Sequence, residues 1–201
     1  MTLDGYILAF DLDGTLVDSA PDIIAALNQV LVEQGIKPFH LDEARPMIGR
    51  GAMELLRRAF QLAGAPLAPE NEAPLLARLL EIYETHIDAL TRPFEGLDAA
   101  LDELAALGAR FCICTNKHTR LSVLLIEKLG LTARFATNRG SDSVAAKKPA
   151  ADHLLACVAD MGGDPAKVIM IGDSETDLLT ARNAGVPCIL TTFGYSEQPI
   201  R

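Results

Sequence analysis

The chain has 201 residues, and 18 Lys and Arg stand against 27 Asp and Glu, which gives a formal net charge of −9. Because no basic excess is available to neutralise phosphates, a general nucleic-acid binder is excluded. A content of 49% hydrophobic residues is typical of a chain that buries a core. No apolar run reaches the ~20 residues of a membrane span. The amino-terminal residues also lack a signal-peptide pattern, so we expect a soluble, cytoplasmic protein.

The first predicted element is a strand at residues 6–10, a short apolar run that ends in Asp11. After a loop, residues 19–91 show only the periodicity of helices, and we call this segment the helical insert. Its first helix is expected to begin after Ser19, as an N-cap, with Asp22 as the acid of a capping box. Two further helices are expected around residues 55–63 and 72–87. The rest of the chain, residues 1–18 and 92–201, is predicted to form one core domain.

Beyond the helical insert, apolar runs alternate with amphipathic segments. The strands are expected at residues 110–114, 168–171 and 186–190, with a weaker candidate at 135–137. The helices between them are expected to end shortly before Gly108, Gly130 and Gly162. Alternation of strand and helix predicts an α/β fold with a doubly wound parallel sheet.

Carboxylates follow two of the predicted strands. Asp11 and Asp13 come after the first strand, and Asp173 comes after the strand at 168–171. Because ligands of open α/β sheets bind beyond the carboxyl ends of the strands, we expect the three side chains to converge on one crevice. Carboxylates brought together repel one another unless a cation lies between them, and oxygen ligands favour Mg²⁺. The sequence therefore predicts a magnesium site.

Anion-binding side chains complete this predicted site. Thr115 and Asn116 follow the strand at 110–114, and Lys148 stands directly before Pro149. Together with the carboxylates they predict a phosphate group held beside the metal.

Four motifs occur in a fixed order: DLDGT at residues 11–15, a strand-end Thr115, Lys148 followed by Pro149, and GDSETD at residues 172–177. In this order they resemble the motifs of the haloacid dehalogenase superfamily, and the helical insert is similar to the C1 cap of that superfamily. The resemblance implies a Rossmann-type core with an inserted α-helical cap domain. Within the superfamily, FDLDGTLVDSAPD, PFEGL and CTNK most resemble bacterial phosphoglycolate phosphatases.

The resemblance implies a role for each motif residue. Asp11 matches the nucleophile, which forms an aspartyl phosphate. Asp13 matches the general acid and base, and its backbone carbonyl would also contact Mg²⁺. Asp173 matches a metal ligand.

The phosphate contacts follow from the same resemblance. Thr115 and Asn116 match the residues that bind the phosphoryl oxygens. Lys148 matches the ammonium that offsets charge on the nucleophile and on the phosphate, although Lys147 is an alternative. Asp177 either closes a capping box with its helix or orients metal-bound water or Lys148.

The implied function is a Mg²⁺-dependent phosphatase for a small phosphorylated acid, with 2-phosphoglycolate as the leading candidate. A phosphatase for a sugar phosphate or nucleotide, a β-phosphoglucomutase-like phosphotransferase and a non-enzymatic interaction protein stay open as alternatives. Arg50, between two glycines of the helical insert, could reach a substrate carboxylate, and Arg45 is a second candidate. The expected partner is a small phosphate ester, with no nucleic acid, no membrane, and a monomer or homodimer as the assembly.

Overall fold

The computed structural model describes residues 2–196. Its larger sheet consists of β1 (Ile7–Phe10), β4 (Arg110–Cys114), β5 (Thr137–Arg139), β6 (Val168–Gly172) and β7 (Cys188–Leu190). The five strands lie in the order β5-β4-β1-β6-β7, and every neighbouring pair is parallel. The predicted α/β fold with a parallel sheet is confirmed.

Helices cover both faces of this sheet. They are α5 (Leu97–Ala106), α6 (Thr119–Lys128), α7 (Ala151–Asp160) and α8 (Glu175–Ala184). Along β1, Leu8 and Phe10 pack in one apolar cluster, while Ile7 and Ala9 pack in a second. Residues of α5 and α6 belong to the first cluster, and residues of α7 and α8 belong to the second. Burial on both faces explains why β1 is apolar at every position.

The helical insert consists of α1 (Ala20–Glu33), α2 (Leu41–Ala44), α3 (Ala52–Leu62) and α4 (Pro69–Thr85). Its two connections to the core pair with each other as short antiparallel strands, β2 (Val17–Asp18) and β3 (Arg92–Pro93). Leu27, Leu56 and Leu79 of the insert belong to the same apolar cluster as Phe10 of the sheet. The insert therefore packs against the core over continuous apolar contacts.

Ser19 stands at the predicted N-cap position of α1 and Asp22 in its first turn, but the predicted capping hydrogen bond is not made. Ser19 makes no side-chain cap hydrogen bond, and its Oγ donates to Asp13 Oδ1 at 2.5 Å. Asp22 is buried and accepts the backbone N–H groups of Leu90 and Thr91, at 3.0 and 2.7 Å. Both side chains therefore bond to residues outside α1, Ser19 to Asp13 and Asp22 to the segment at Leu90 and Thr91.

Several element boundaries differ from the prediction. The last strand begins at Cys188 because the N–H of Val186 bonds to Ala181 O at the end of α8. The weak strand candidate lies two residues later than expected, as β5, and α4 begins at Pro69. Among the described residues, no helix is both long enough and apolar enough to cross a membrane.

Candidate active site

Three adjacent strands deliver polar side chains to one edge of the sheet. In β1, Phe10 pairs with Ile113 of β4 and with Ile171 of β6. Asp11, Thr115 and Asp173 follow these three strands, and all three are buried. The strand order thus brings together residues that are far apart in the sequence.

The loop after β1 packs directly on Asp173. Gly14 has φ +89°, and a Cβ atom there would lie 2.4 Å from Asp173 Oδ2, so the close approach requires glycine. Asp173 Oδ1 accepts a hydrogen bond from Thr15 Oγ1 at 3.1 Å, and Oδ2 accepts one from the N–H of Tyr195 at 2.6 Å. These contacts hold the Asp173 carboxylate in one orientation.

Asp11, Asp173 and Asp177 form a buried cluster, and one carboxylate oxygen from each lies within 4.8 Å of the others. Lys148 Nζ lies 2.9 Å from Asp11 Oδ1 and 2.6 Å from Asp177 Oδ1. Asp177 Oδ2 accepts the N–H and the hydroxyl of Ser174, which closes the predicted capping box of α8. Asp177 therefore both caps its helix and contacts Lys148.

The cluster carries more negative than positive charge, since three carboxylates face one ammonium group. Burial, followed by the neighbouring carboxylates, raises the pKa of Asp11 to about 7 and that of Asp173 to about 6. Burial alone would lower the pKa of Lys148, but Asp11 and Asp177 more than offset it and hold that pKa above its ordinary value. A buried, oxygen-only set with excess negative charge fits a divalent cation such as Mg²⁺.

The Asp13 side chain does not join this cluster, contrary to the expected convergence with Asp11 and Asp173. Its Oδ1 and Oδ2 lie 2.8 and 3.0 Å from Lys117 Nζ, and Ser19 also donates to it. Lys117 and Ser19 thus hold the carboxylate to one side, and Asp177 takes its place in the cluster.

A cavity that is partly open to solvent lies between this edge of the sheet and the helical insert. Asp11, Asp13, Thr115, Asn116 and Lys117 line it from the core. Two polar atoms of its lining, Asn116 Oδ1 and Tyr83 OH, are buried and make no hydrogen bond of good geometry within the described part of the chain. Asp11 Oδ1, also in the lining, has the ammonium group of Lys148 as its ion-pair partner. Because buried polar groups are nearly always paired, Asn116 Oδ1 and Tyr83 OH indicate that the cavity takes a polar ligand.

The predicted phosphate contacts lie at the floor of this cavity. Thr115 Oγ1 accepts a hydrogen bond from the N–H of Lys117 at 3.2 Å. Asn116 Nδ2 donates to Gly49 O at 3.1 Å and to Lys148 O at 3.2 Å. Asn116 therefore connects the helical insert to the loop that carries Lys148.

Neither predicted specificity residue lines the cavity. Arg50 is half exposed, and its Nη2 lies 3.5 Å from Glu175 Oε2. Arg45 lies 2.8 Å from Asp18 Oδ1, with its guanidinium 5.2 Å from the ring centre of Tyr195.

Lys117 and Tyr83 line the cavity instead, and the sequence reasoning assigned them no role. Lys117 directly follows two polar residues at a strand end, so the rule that located Asp11 also covers it. Tyr83 lies within the apolar stripe of α4, and no sequence signal distinguishes it from a core residue.

Comparison with known proteins gives a consistent result. A family model described as haloacid dehalogenase-like hydrolase matches residues 8–191. The chain is 46% identical to a phosphoglycolate phosphatase from Caulobacter vibrioides, over 98% of this chain and 84% of the relative. It is 41% identical to one from Agrobacterium fabrum, over 95% of this chain and 82% of the relative.

A solved structure shows the same architecture. The crystal structure of a predicted phosphoglycolate phosphatase from Haemophilus somnus superposes with a TM-score of 0.90 at 27% identity. The superposition covers 100% of this chain and 91% of that one. With the family model, the relatives and the strand-end motifs in agreement, the chain belongs to the haloacid dehalogenase-like hydrolases.

Proposed function

We propose that this chain is a Mg²⁺-dependent phosphoric monoester hydrolase for a small phosphorylated acid, with 2-phosphoglycolate as the preferred substrate. The observation that carries the proposal is the buried group of Asp11, Asp173 and Asp177 beside Lys148, in which Asp11 also lines the cavity. The relatives named phosphoglycolate phosphatase support the choice of substrate.

Asp11 acts as the nucleophile in the proposed mechanism. Its carboxylate attacks phosphorus while Asp13 gives a proton to the leaving alkoxide, which yields the alcohol and an aspartyl phosphate. Asp13 then takes a proton from the water that attacks this intermediate, so inorganic phosphate leaves and Asp11 is regenerated.

Charge neutralisation is the main task of the surrounding residues, because the substrate phosphate is an anion that must approach a carboxylate. Asp11, Asp173 and the backbone carbonyl of Asp13 would hold Mg²⁺, with Asp177 in support. When bound, the ion supplies the positive charge that lets a buried carboxylate and a phosphate lie side by side. Lys148 adds a second positive charge.

The phosphoryl oxygens need fixed partners as well. Thr115 and Asn116 are the proposed partners, because both line the cavity together with Asp11. Such contacts would hold the phosphorus atom in line with the attacking oxygen of Asp11. Holding the reacting atoms in this geometry increases the rate.

The helical insert, residues 19–91, is proposed to act as a cap domain over a core made of residues 1–18 and 92–201. The antiparallel pairing of β2 with β3 supports this division, because the chain leaves and re-enters the core side by side. A cap that closes over Asp11 keeps bulk water away until the aspartyl phosphate has formed.

Phosphate release from a panel of phosphorylated acids, sugars and nucleotides tests the proposal. We expect kcat/KM for 2-phosphoglycolate to exceed that for hexose 6-phosphates by at least ~100-fold, since a charged contact to the leaving group contributes ~10–150-fold. A preferred sugar phosphate or nucleotide would contradict the substrate, and an isomerised sugar phosphate without free phosphate would indicate a phosphotransferase.

Metal removal tests the cofactor separately. Excess chelator should stop hydrolysis, Mg²⁺ should restore it, and Ca²⁺ should restore little because its longer, more variable coordination would misplace Asp11. Full activity in excess chelator would show that the carboxylate cluster does not hold an essential metal.

A further inference from the structure

Lys117 of the core and Tyr83 of the helical insert both line the cavity, and their side chains are in contact. Lys117 Nζ lies 4.5 Å from the ring centre of Tyr83, and both side chains are almost fully buried. On its other side the ammonium group contacts both carboxylate oxygens of Asp13. The cation therefore sits directly beside the proposed acid and base.

The hydroxyl of Tyr83 is buried and makes no hydrogen bond of good geometry in the described part of the chain, and the cation that faces it is Lys117. Burial raises the pKa of Tyr83 to about 12, so the group stays a neutral O–H donor at physiological pH. An unpaired buried hydroxyl lowers stability. Its place in the cavity lining points to a hydrogen-bond acceptor supplied by the ligand.

The rest of the wall that the helical insert contributes is aliphatic, including Ile23, Ile48, Leu55 and Leu79. Sugar hydroxyls directed at this wall would lose their water partners and find only the Tyr83 hydroxyl in exchange. Of the cavity-lining side chains on the insert, Tyr83 alone carries a polar atom within the described range 2–196. The wall therefore favours a short leaving group with few polar atoms.

We propose that the Lys117 ammonium group and the Tyr83 hydroxyl form a subsite for the carboxylate of the leaving group. This inference rests on the proposed phosphatase activity and makes the substrate class a short phosphorylated acid. Because Lys117 touches Asp13, the carboxylate would lie close to the oxygen that Asp13 protonates. That proximity requires a short spacer between the ester oxygen and the carboxylate, as in 2-phosphoglycolate.

Tyr83→Phe is the sharpest test, because it removes only the hydroxyl and keeps the ring. The readout is the ratio of kcat/KM for 2-phosphoglycolate to kcat/KM for ethyl phosphate, which has the same length but no carboxylate. We expect the variant to lower this ratio by about tenfold or more. Its Tm should change little, since the hydroxyl makes no hydrogen bond of good geometry within residues 2–196.

Lys117→Met tests the ammonium group. The substitution also removes the partner of Asp13, so both esters should react more slowly. The ratio isolates the contact to the substrate, because the effect on Asp13 is common to both esters. We expect the ratio to fall by ~10–150-fold, as for other charged contacts.

Tyr6→Phe is the matched control, since Tyr6 precedes β1 at the opposite edge of the sheet, and it should leave the ratio unchanged. A wild-type ratio near one, or a ratio that Tyr83→Phe and Lys117→Met leave unchanged, would overturn the subsite while the phosphatase activity stands. A ratio that falls only in Arg50→Ala would show that Arg50 binds the substrate carboxylate, which would also overturn the proposed subsite of Lys117 and Tyr83. If wild-type protein releases phosphate from neither ester, the proposed function itself fails.

Discussion

At Asp11, burial and two neighbouring carboxylates oppose ionisation, while Lys148 favours it. The balance raises the pKa of Asp11 to about 7, so a cation bound beside it would favour the charged carboxylate that must attack phosphorus. A residue kept in this state lowers stability and is typical of a functional site.

Asp11→Asn should abolish turnover and leave the fold intact. The amide cannot form an aspartyl phosphate, yet it relieves the repulsion with Asp173 and Asp177 while Lys148 keeps Asp177 as its partner. The Tm should therefore hold or rise, as thermal unfolding would show. More than a few per cent of wild-type activity, in a preparation free of deamidation, would contradict the assigned nucleophile.

His153 is hydrogen-bonded to the backbone of the loop that carries Lys148. Its Nδ1 accepts the N–H of Lys148 at 3.1 Å, and its Nε2 faces Arg139 O at 3.2 Å, so the neutral ring carries its proton on Nε2. Burial, with Lys148 nearby, lowers the pKa of His153 from 6.5 to about 4.

This shift predicts a pH dependence of stability. Because the unfolded chain binds the proton at higher pH than the folded chain, the free energy of unfolding should fall as the pH drops through 6.5 towards 4. Between pH 7.5 and 5 the contribution of His153 is about 2 kcal/mol. Urea unfolding of wild type and His153→Gln at both pH values measures it, and equal pH dependence in the two proteins would contradict it.

At the scale of elements, the junction between the helical insert and the core depends on α1. Asp22, in the first turn of this helix, accepts both backbone N–H groups of Leu90 and Thr91 and also the Thr91 hydroxyl. One carboxylate thus holds the start of the insert to the segment that returns to the core.

Asp22→Ala should lower the free energy of unfolding by about 2–4 kcal/mol, since it leaves the buried N–H and hydroxyl of Thr91 unpaired. Asp152→Ala is the matched control, because Asp152 also lies in the first turn of a helix but is exposed. Urea unfolding of both variants measures the difference. Equal losses would show that the junction contributes nothing beyond the charge at a helix end.

At the scale of the molecule, the loop of the helical insert that carries Arg50 is docked on the core. Lys147 Nζ donates to Arg50 O at 2.8 Å, and Asn116 donates to Gly49 O. Gly51 has φ +94°, and a Cβ atom there would lie 3.1 Å from Lys147 Nζ, so glycine permits the contact. These hydrogen bonds hold the loop of the helical insert against the core beside the cavity.

Lys147→Met should weaken this contact by one hydrogen bond and raise KM for every phosphate ester by a few fold, up to about tenfold. Steady-state kinetics with 2-phosphoglycolate and ethyl phosphate measure it, and the ratio of the two should not change. Lys167→Met, at the amino-terminal side of β6, is the control and should have no effect on KM. A changed ratio would place Lys147 in contact with the leaving group instead.

The sequence alone determined the strands, the helical insert and the edge where the site lies. A strand buried on both faces must be apolar at every position, as β1 is, and parallel strands place their carboxyl ends at one edge. Asp11, Thr115 and Asp173 could be located by these local rules, because each directly follows its strand. Family membership followed from the order of the same motifs.

Only the tertiary structure decided which side chains meet. Asp177 rather than Asp13 completes the carboxylate cluster, because Lys117 and Ser19 hold the Asp13 carboxylate to one side. Tyr83 faces Lys117 because the insert packs α4 over the sheet edge, although its place in an apolar stripe is that of a core residue. The period of a strand or helix predicts the face on which a residue lies. It does not predict which side chain of a distant segment that residue contacts.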